Sequence, residues 1–199
     1  MNVSREKLSL AERRRQATLL ELSDIAADLF VNRGVAATTV QDIADTAGVS
    51  ARTFHRYFPS KADALGPFIE QGLLQYVTRV EALPVGTALV EGLCDALAGS
   101  LASPRSPLDL EVTRLVVSTP ELKPAWLRAH EECALALGPI LAPHLDPGTD
   151  AIALRYASAS VVTANRLAVE SWIDQGGEPR AFLERCLRLL TQGVLLPTR

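Results

Sequence analysis

Thr38-Thr39-Val40-Gln41-Asp42-Ile43-Ala44-Asp45-Thr46-Ala47-Gly48-Val49-Ser50-Ala51-Arg52-Thr53-Phe54-His55-Arg56-Tyr57-Phe58-Pro59-Ser60-Lys61 decides the fold. It reads as two short helices joined by a tight turn, the arrangement that sets a helix into the DNA major groove. Thr39 caps the first helix, because its hydroxyl accepts a backbone N–H of the first turn. Val40, Ile43, Ala44 and Ala47 recur at helical spacing and give that helix one apolar face. Gly48 stands where the chain needs a left-handed residue. Val49 plugs the turn, and Ser50 caps the second helix. Phe54 and Phe58 point to one core, while Ala51, Arg52, Thr53, His55, Arg56 and Tyr57 lie between the buried positions on the outer face. Pro59 ends the second helix, and Ser60 caps a further one beginning at Lys61.

Arginine pairs bidentately with guanine O6 and N7, so Arg52 and Arg56, four residues apart, are the expected base readers. Ala51 and Thr53 are short enough for methyl contacts or close backbone approach. Thr39, Ser50, His55, Tyr57 and Lys61 are placed for phosphates, which position a helix without reading sequence.

These residues, with Leu22, Ala26, Leu29, Phe30 and Gly34 before them, resemble the TetR family of transcriptional regulators from about Arg14 to Leu65. The family often has Tyr at the position of His55 and Glu at that of Ala62; His still donates to a phosphate. The resemblance implies a ligand-responsive, homodimeric regulator, most simply a repressor on an inverted-repeat operator of double-stranded DNA.

The chain has 199 residues, 48% of them hydrophobic, which implies a well-buried core. No apolar run approaches the roughly 18–20 residues of a membrane helix, and residues 1–16 are mostly polar and basic, so a cytoplasmic protein with no membrane partner is expected. Cys94, Cys133 and Cys186 are widely spaced and odd in number, as for reduced thiols. The net charge of −3 conceals an asymmetry: residues 1–61 carry nine Lys/Arg against seven Asp/Glu, the remainder eleven against sixteen. Arg13, Arg14 and Arg15 cluster at the start of the first helix, where phosphate binding needs local positive charge.

The expected fold is all-α, about nine helices with no strands: a DNA-binding domain over residues 1–60 and a helical ligand-binding and dimerisation domain over 61–199. The helices are expected over Leu10–Asn32, the two motif segments, Lys61–Leu83, Thr87–Leu101, Leu108–Val117, Pro120–Leu141 with an interruption or bend near Gly138-Pro139, Thr149–Gln175 and Pro179–Leu195. The fourth helix belongs to both halves and is the expected lever between them.

Residues 105–195, through Leu110–Trp126 and Trp172-Ile173-Asp174-Gln175-Gly176-Gly177, resemble a TetR subgroup with an acyl-CoA-like ligand domain. That resemblance implies a small lipophilic effector, acyl-CoA or fatty-acid-like. The expected pocket lies between helices four and eight, with Phe68, Tyr76 and Trp126 as walls and Arg114, His130, Tyr156, Asn165 and Arg166 as polar candidates. Each aromatic also fits an ordinary core position, and Asn165-Arg166 also fits a structural polar pair. His130 and Cys133 lie three apart on one face but lack a second ligand pair, so no metal and no cofactor is expected. Small and apolar residues on the last two helices, Tyr156, Ser160, Ala164 and Leu167 with Phe182, Cys186 and Leu190, form the expected dimer interface, a four-helix bundle. No nucleophile elbow, metal-protease helix or phosphate-cradling glycine loop is present, so no enzyme is expected. A regulator or interaction protein controlled by a protein partner, without a small ligand, is the alternative.

Overall fold

The computed structural model describes residues 9–104 and 108–192, and these form helices and connecting turns without a strand. The helices are α1 (Leu10–Arg33), α2 (Val40–Thr46), α3 (Ala51–Tyr57), α4 (Gly66–Glu81), α5 (Leu89–Ala102), α6 (Asp109–Ser118), α7 (Lys123–Leu141), α8 (Ala151–Gln175) and α9 (Pro179–Gln192). The chain divides into two compact units, the first ending at Phe68 and the second beginning at Ile69, so the division falls inside α4. The expected continuation of the last helix to Leu195 lies outside the described residues.

In the first unit α1 starts on a capping box: the Ser9 hydroxyl accepts from Glu12 N while the Glu12 carboxylate accepts from Ser9 N. The Leu22, Ala26, Leu29 and Phe30 stripe is buried, as its helical spacing requires. Gly34, at φ +85°, ends the helix. Buried Thr38 donates its hydroxyl hydrogen to the Gly34 carbonyl at 2.9 Å, closing the loop before α2. Ile43, Ala44, Phe54 and Phe58 complete this core.

The fourth helix differs from its expected form. Ser60 Oγ accepts from Asp63 N and donates to the Asp63 carboxylate, but a single 3-10 turn, Asp63–Leu65, follows rather than a long α-helix, and α4 begins only at Gly66. Pro67 accounts for the restart, because its ring fits the first turn of a helix and its missing N–H is not needed there.

In the second unit α8 packs against α7 and α9, and α9 packs against α5. Of the interruption or bend expected near Gly138-Pro139, no interruption occurs: α7 runs as one helix through Pro139, though the proline removes one hydrogen-bond donor. His144 sits in a further 3-10 turn and is half-buried.

Gly48 has φ +67°, and no atom lies within 4 Å of where a Cβ would stand. The strain of a side chain there is purely backbone strain, so Gly48→Ala should destabilise the first unit by roughly 1–2 kcal/mol. Gly72 in α4 has equally open surroundings but no left-handed backbone, and Gly72→Ala should stabilise by roughly 0.5–1 kcal/mol. Chemical denaturation of both variants checks the opposite signs.

Candidate nucleic-acid interface and buried polar groups

The turn between α2 and α3 is fixed from both ends. Thr39 Oγ1 accepts from Asp42 N at 3.1 Å, and the Asp42 carboxylate accepts from Thr39 N at 2.8 Å. The Thr39 hydroxyl also donates to this carboxylate, and that bond first, with the one from Thr39 N, holds the Asp42 carboxyl below its usual range. The sequence reading found Thr39 but missed Asp42; the signal was a Thr followed three residues later by an acid. Past the turn, Val49 N donates to the Ala44 carbonyl at 2.9 Å, and Ser50 Oγ accepts from Thr53 N at 3.1 Å.

This frame buries Phe54 and Phe58 and leaves Ser50, Arg52, His55 and Arg56 exposed, with Ala51, Thr53 and Tyr57 half-buried beside them. Arg56 lies over the Tyr57 ring at 5.4 Å, and the His55 ring meets the edge of Phe54. The Arg52 and Arg56 pair therefore stands on solvent one helical turn apart. Lys61 is placed differently from the expectation. Its ammonium donates to the Val35 carbonyl at 2.6 Å and the Thr38 carbonyl at 2.9 Å, tying the loop before α2 to the chain after α3. Two of its three donors are thus engaged within the first unit.

The eight ligand candidates separate. Phe68 is buried in the first unit, its N–H donating to buried Ser23 Oγ at 3.1 Å. Arg114 is exposed on α6. Tyr156 is 68% exposed and lies with the outer face of α8, away from the buried Ser158, Val161, Val162 and Asn165. Trp126, His130 and Arg166 are brought together around Glu170, which the sequence reading missed. Its carboxylate accepts from Lys123 Nζ at 2.6 Å, Trp126 Nε1 at 2.8 Å and Arg166 NH1 at 3.0 Å. Burial opposes the Glu170 charge, but these donors outweigh it and keep the carboxyl below its usual range. Arg166 and Glu170 at helical spacing were a visible clue. The contacts of Lys123 and Trp126, on α7, were not.

His130 packs edge-on to Trp126 at 4.1 Å between ring centres, and its Nδ1 donates to the Trp126 carbonyl at 2.8 Å. Burial pushes the imidazole down to about 4. Among the described residues no group of three potential metal ligands is assembled. Tyr76, 2% exposed, has a hydroxyl with no hydrogen-bond partner. An unpaired buried hydroxyl costs about 1–3 kcal/mol. Asn165, also buried, is close enough to favour the phenolate but outside hydrogen-bonding geometry.

On the expected dimer face, Tyr156, Leu167 and Leu190 are exposed and Ser160, Phe182 and Cys186 are half-buried. Ala164 departs from the reading: at 4% exposed it faces the core of its own unit, because it shares the inner side of α8 with Val161 and Ala168. Ile152, 81% exposed, continues the outer line through Tyr156 to Leu167 and was not singled out.

A capped two-helix turn presenting an exposed basic row, followed by a helical unit, defines a helix-turn-helix protein of the two-unit type. Residues 22–65 match the family described as "Bacterial regulatory proteins, tetR family". The transcriptional regulator TcmR of Streptomyces glaucescens is 32% identical over 144 residues, 67% of this chain and 62% of its own length. The transcriptional repressor KstR2 of Rhodococcus jostii is 56% identical over 41 residues, 21% of this chain and 20% of its own. This chain thus spans about three fifths of the first relative and a fifth of the second. The solved structure of Thermus thermophilus FadR, a TetR-family repressor bound to lauroyl-CoA, superposes with a TM-score of 0.60 at 26% identity, covering 91% of this chain and 97% of that one. Residues 22–65 thus carry a DNA-binding domain of the TetR type, and the chain shares the fold of the TetR-family repressor FadR. No helix among the described residues is long and apolar enough to cross a membrane.

The His130 site generates a pH dependence. An unfolded His titrates near 6.5 and the folded one near 4, so between these values only the unfolded chain takes up the proton. Stability is therefore full above pH 6.5 and falls as the pH drops toward 4, by up to about 1.4 kcal/mol per pH unit. His130→Gln should flatten that slope, measured by denaturant unfolding at pH 7, 5.5 and 4.5.

Proposed function

We propose that the chain is a homodimeric repressor that binds an inverted-repeat operator through α3 and releases it on binding a lipophilic effector. The exposed Arg52 and Arg56 pair on a helix whose start is fixed by Gly48 and Ser50 carries this reading. Each guanidinium reaches a base edge, with guanine as the matching base. Thr39, Ser50, His55 and Tyr57 position the helix on phosphates, and Ala51 and Thr53 allow close approach. Lys61 contributes by holding the loop before α2, with its remaining donor directed to the backbone.

The partner is a second copy. Ile152, Tyr156 and Leu167 on α8 and Leu189 and Leu190 on α9 expose apolar side chains that a monomer has no reason to leave in water. A two-fold dimer repeats α3 about one DNA turn, roughly 34–36 Å, away and so requires an inverted repeat. The effector is apolar in the main, in keeping with the acyl chain bound by the FadR relative. It shifts operator affinity only through unequal affinity for the two states, typically by about 5–150-fold.

Gel shifts on a selected operator and on random DNA test the interface. Arg52→Ala or Arg56→Ala should cost about 1–3 kcal/mol and relax one operator position. Equal losses on both DNAs for both variants would remove the base-reading assignment. Lys61→Met should lower the melting temperature as well as affinity for every sequence alike, because two structural hydrogen bonds go with the charge. Leu167→Glu with Leu190→Glu should yield monomers by light scattering, and a dimer that persists would reject this face.

A further inference from the structure

Tyr76 heads the fully buried side chains by size, yet its hydroxyl finds no hydrogen-bond partner. Buried polar atoms are nearly always paired, so an unpaired one in an otherwise closed core calls for an occupant that supplies the missing partner. We infer that the Tyr76 hydroxyl and the Asn165 carboxamide form the polar anchor of an effector site in the second unit. They take a neutral acceptor, a carbonyl, on an otherwise apolar molecule. The inference rests on the ligand-responsive reading above and specifies the chemistry of its effector.

Three observations carry the class of ligand. The two polar groups come from different helices, α4 and α8, and both side chains are almost wholly buried, so they converge on one interior point. A phenol donates one hydrogen and a carboxamide two, which matches the two lone pairs of a single carbonyl oxygen. The groups that act on the Tyr76 ionisation are Cys133, Cys94 and Asn165, all uncharged at neutral pH, since burial pushes both thiols up to about 11. The nearby helices bury Leu93, Leu97, Val161 and Val162. Among the second unit's half-buried cations, Lys123 and Arg166 are already paired with Glu170, and Arg180 with Asp95 and Glu184. An ionised carboxylate brought to Tyr76 would therefore lose its hydration without gaining a cation, whereas a ketone, ester or thioester carbonyl keeps its hydrogen bonds.

Matched probes test this on the full chain: 2-decanone, decane and decanoate, each titrated by tryptophan fluorescence against the wild type, Tyr76→Phe and Asn165→Ala. The ketone should bind the wild type about tenfold more tightly than decane. Tyr76→Phe should lose that advantage, leave decane affinity unchanged and, without ligand, melt no lower than the wild type, because the hydroxyl has no protein partner to lose. Asn165→Ala should weaken the ketone in the same direction. Equal ketone affinity in the wild type and Tyr76→Phe, decanoate binding as tight as the ketone, or no binding of any probe would overturn the assignment. A parallel gel shift of the unliganded proteins separates the two readings. Loss of operator binding by the wild type would sink the repressor reading, while the probe titrations would still decide the anchor.

Discussion

The left-handed backbone at Gly48 sets the direction in which α3 leaves α2, and the usefulness of α3 depends on that direction. Both helices have seven residues, well below the roughly 12–15 at which an isolated helix becomes marginally stable in water. Neither would persist alone. Caps at Thr39 and Ser50 contribute about 1 kcal/mol each, and burial of Ile43, Ala44, Phe54 and Phe58 supplies the rest. Once the turn and the two phenylalanines are placed, helical periodicity leaves Arg52 and Arg56 no direction but outward. Lys61 closes the arrangement from the far side by binding two loop carbonyls, so a residue that looks like a phosphate ligand also holds the loop that leads into α2.

The second unit treats its polar groups in two ways. Around Glu170 every charge has an opposite number: one carboxylate accepts from an ammonium, an indole and a guanidinium, and the neighbouring imidazole is kept neutral by burial and bound to a main-chain carbonyl. Such a fully paired cluster orders α7 against α8 and has little left to offer a ligand. Tyr76 and Asn165 are the contrast, buried as deeply but not satisfied by each other. Proteins tolerate a cost of this kind where a binding partner relieves it, which is why the unpaired Tyr76 hydroxyl, and not the larger charged cluster, is the ground for the proposed small-molecule anchor.

The sequence by itself determined the first unit in detail. Its signals are local: a capping hydroxyl, a glycine that needs positive φ, apolar residues at helical spacing and a proline that stops a helix all act over fewer than about five residues. The all-α character of the rest was legible for the same reason, and so was the outward placing of Arg52 and Arg56. Tertiary structure decided what depends on residues far apart in the chain. Tyr76 meets Asn165, Lys123 and Trp126 meet Glu170, and Lys61 reaches Val35 across intervals of 26 to 89 positions, for which periodicity carries no information. The same limit explains Ala164 and Tyr156: both lie on one apolar helix, and only the packing of α8 against α7 and α9 determines which side is core and which meets solvent. Helical period tells which residues share a face; the neighbour that covers the face is fixed by the folded chain.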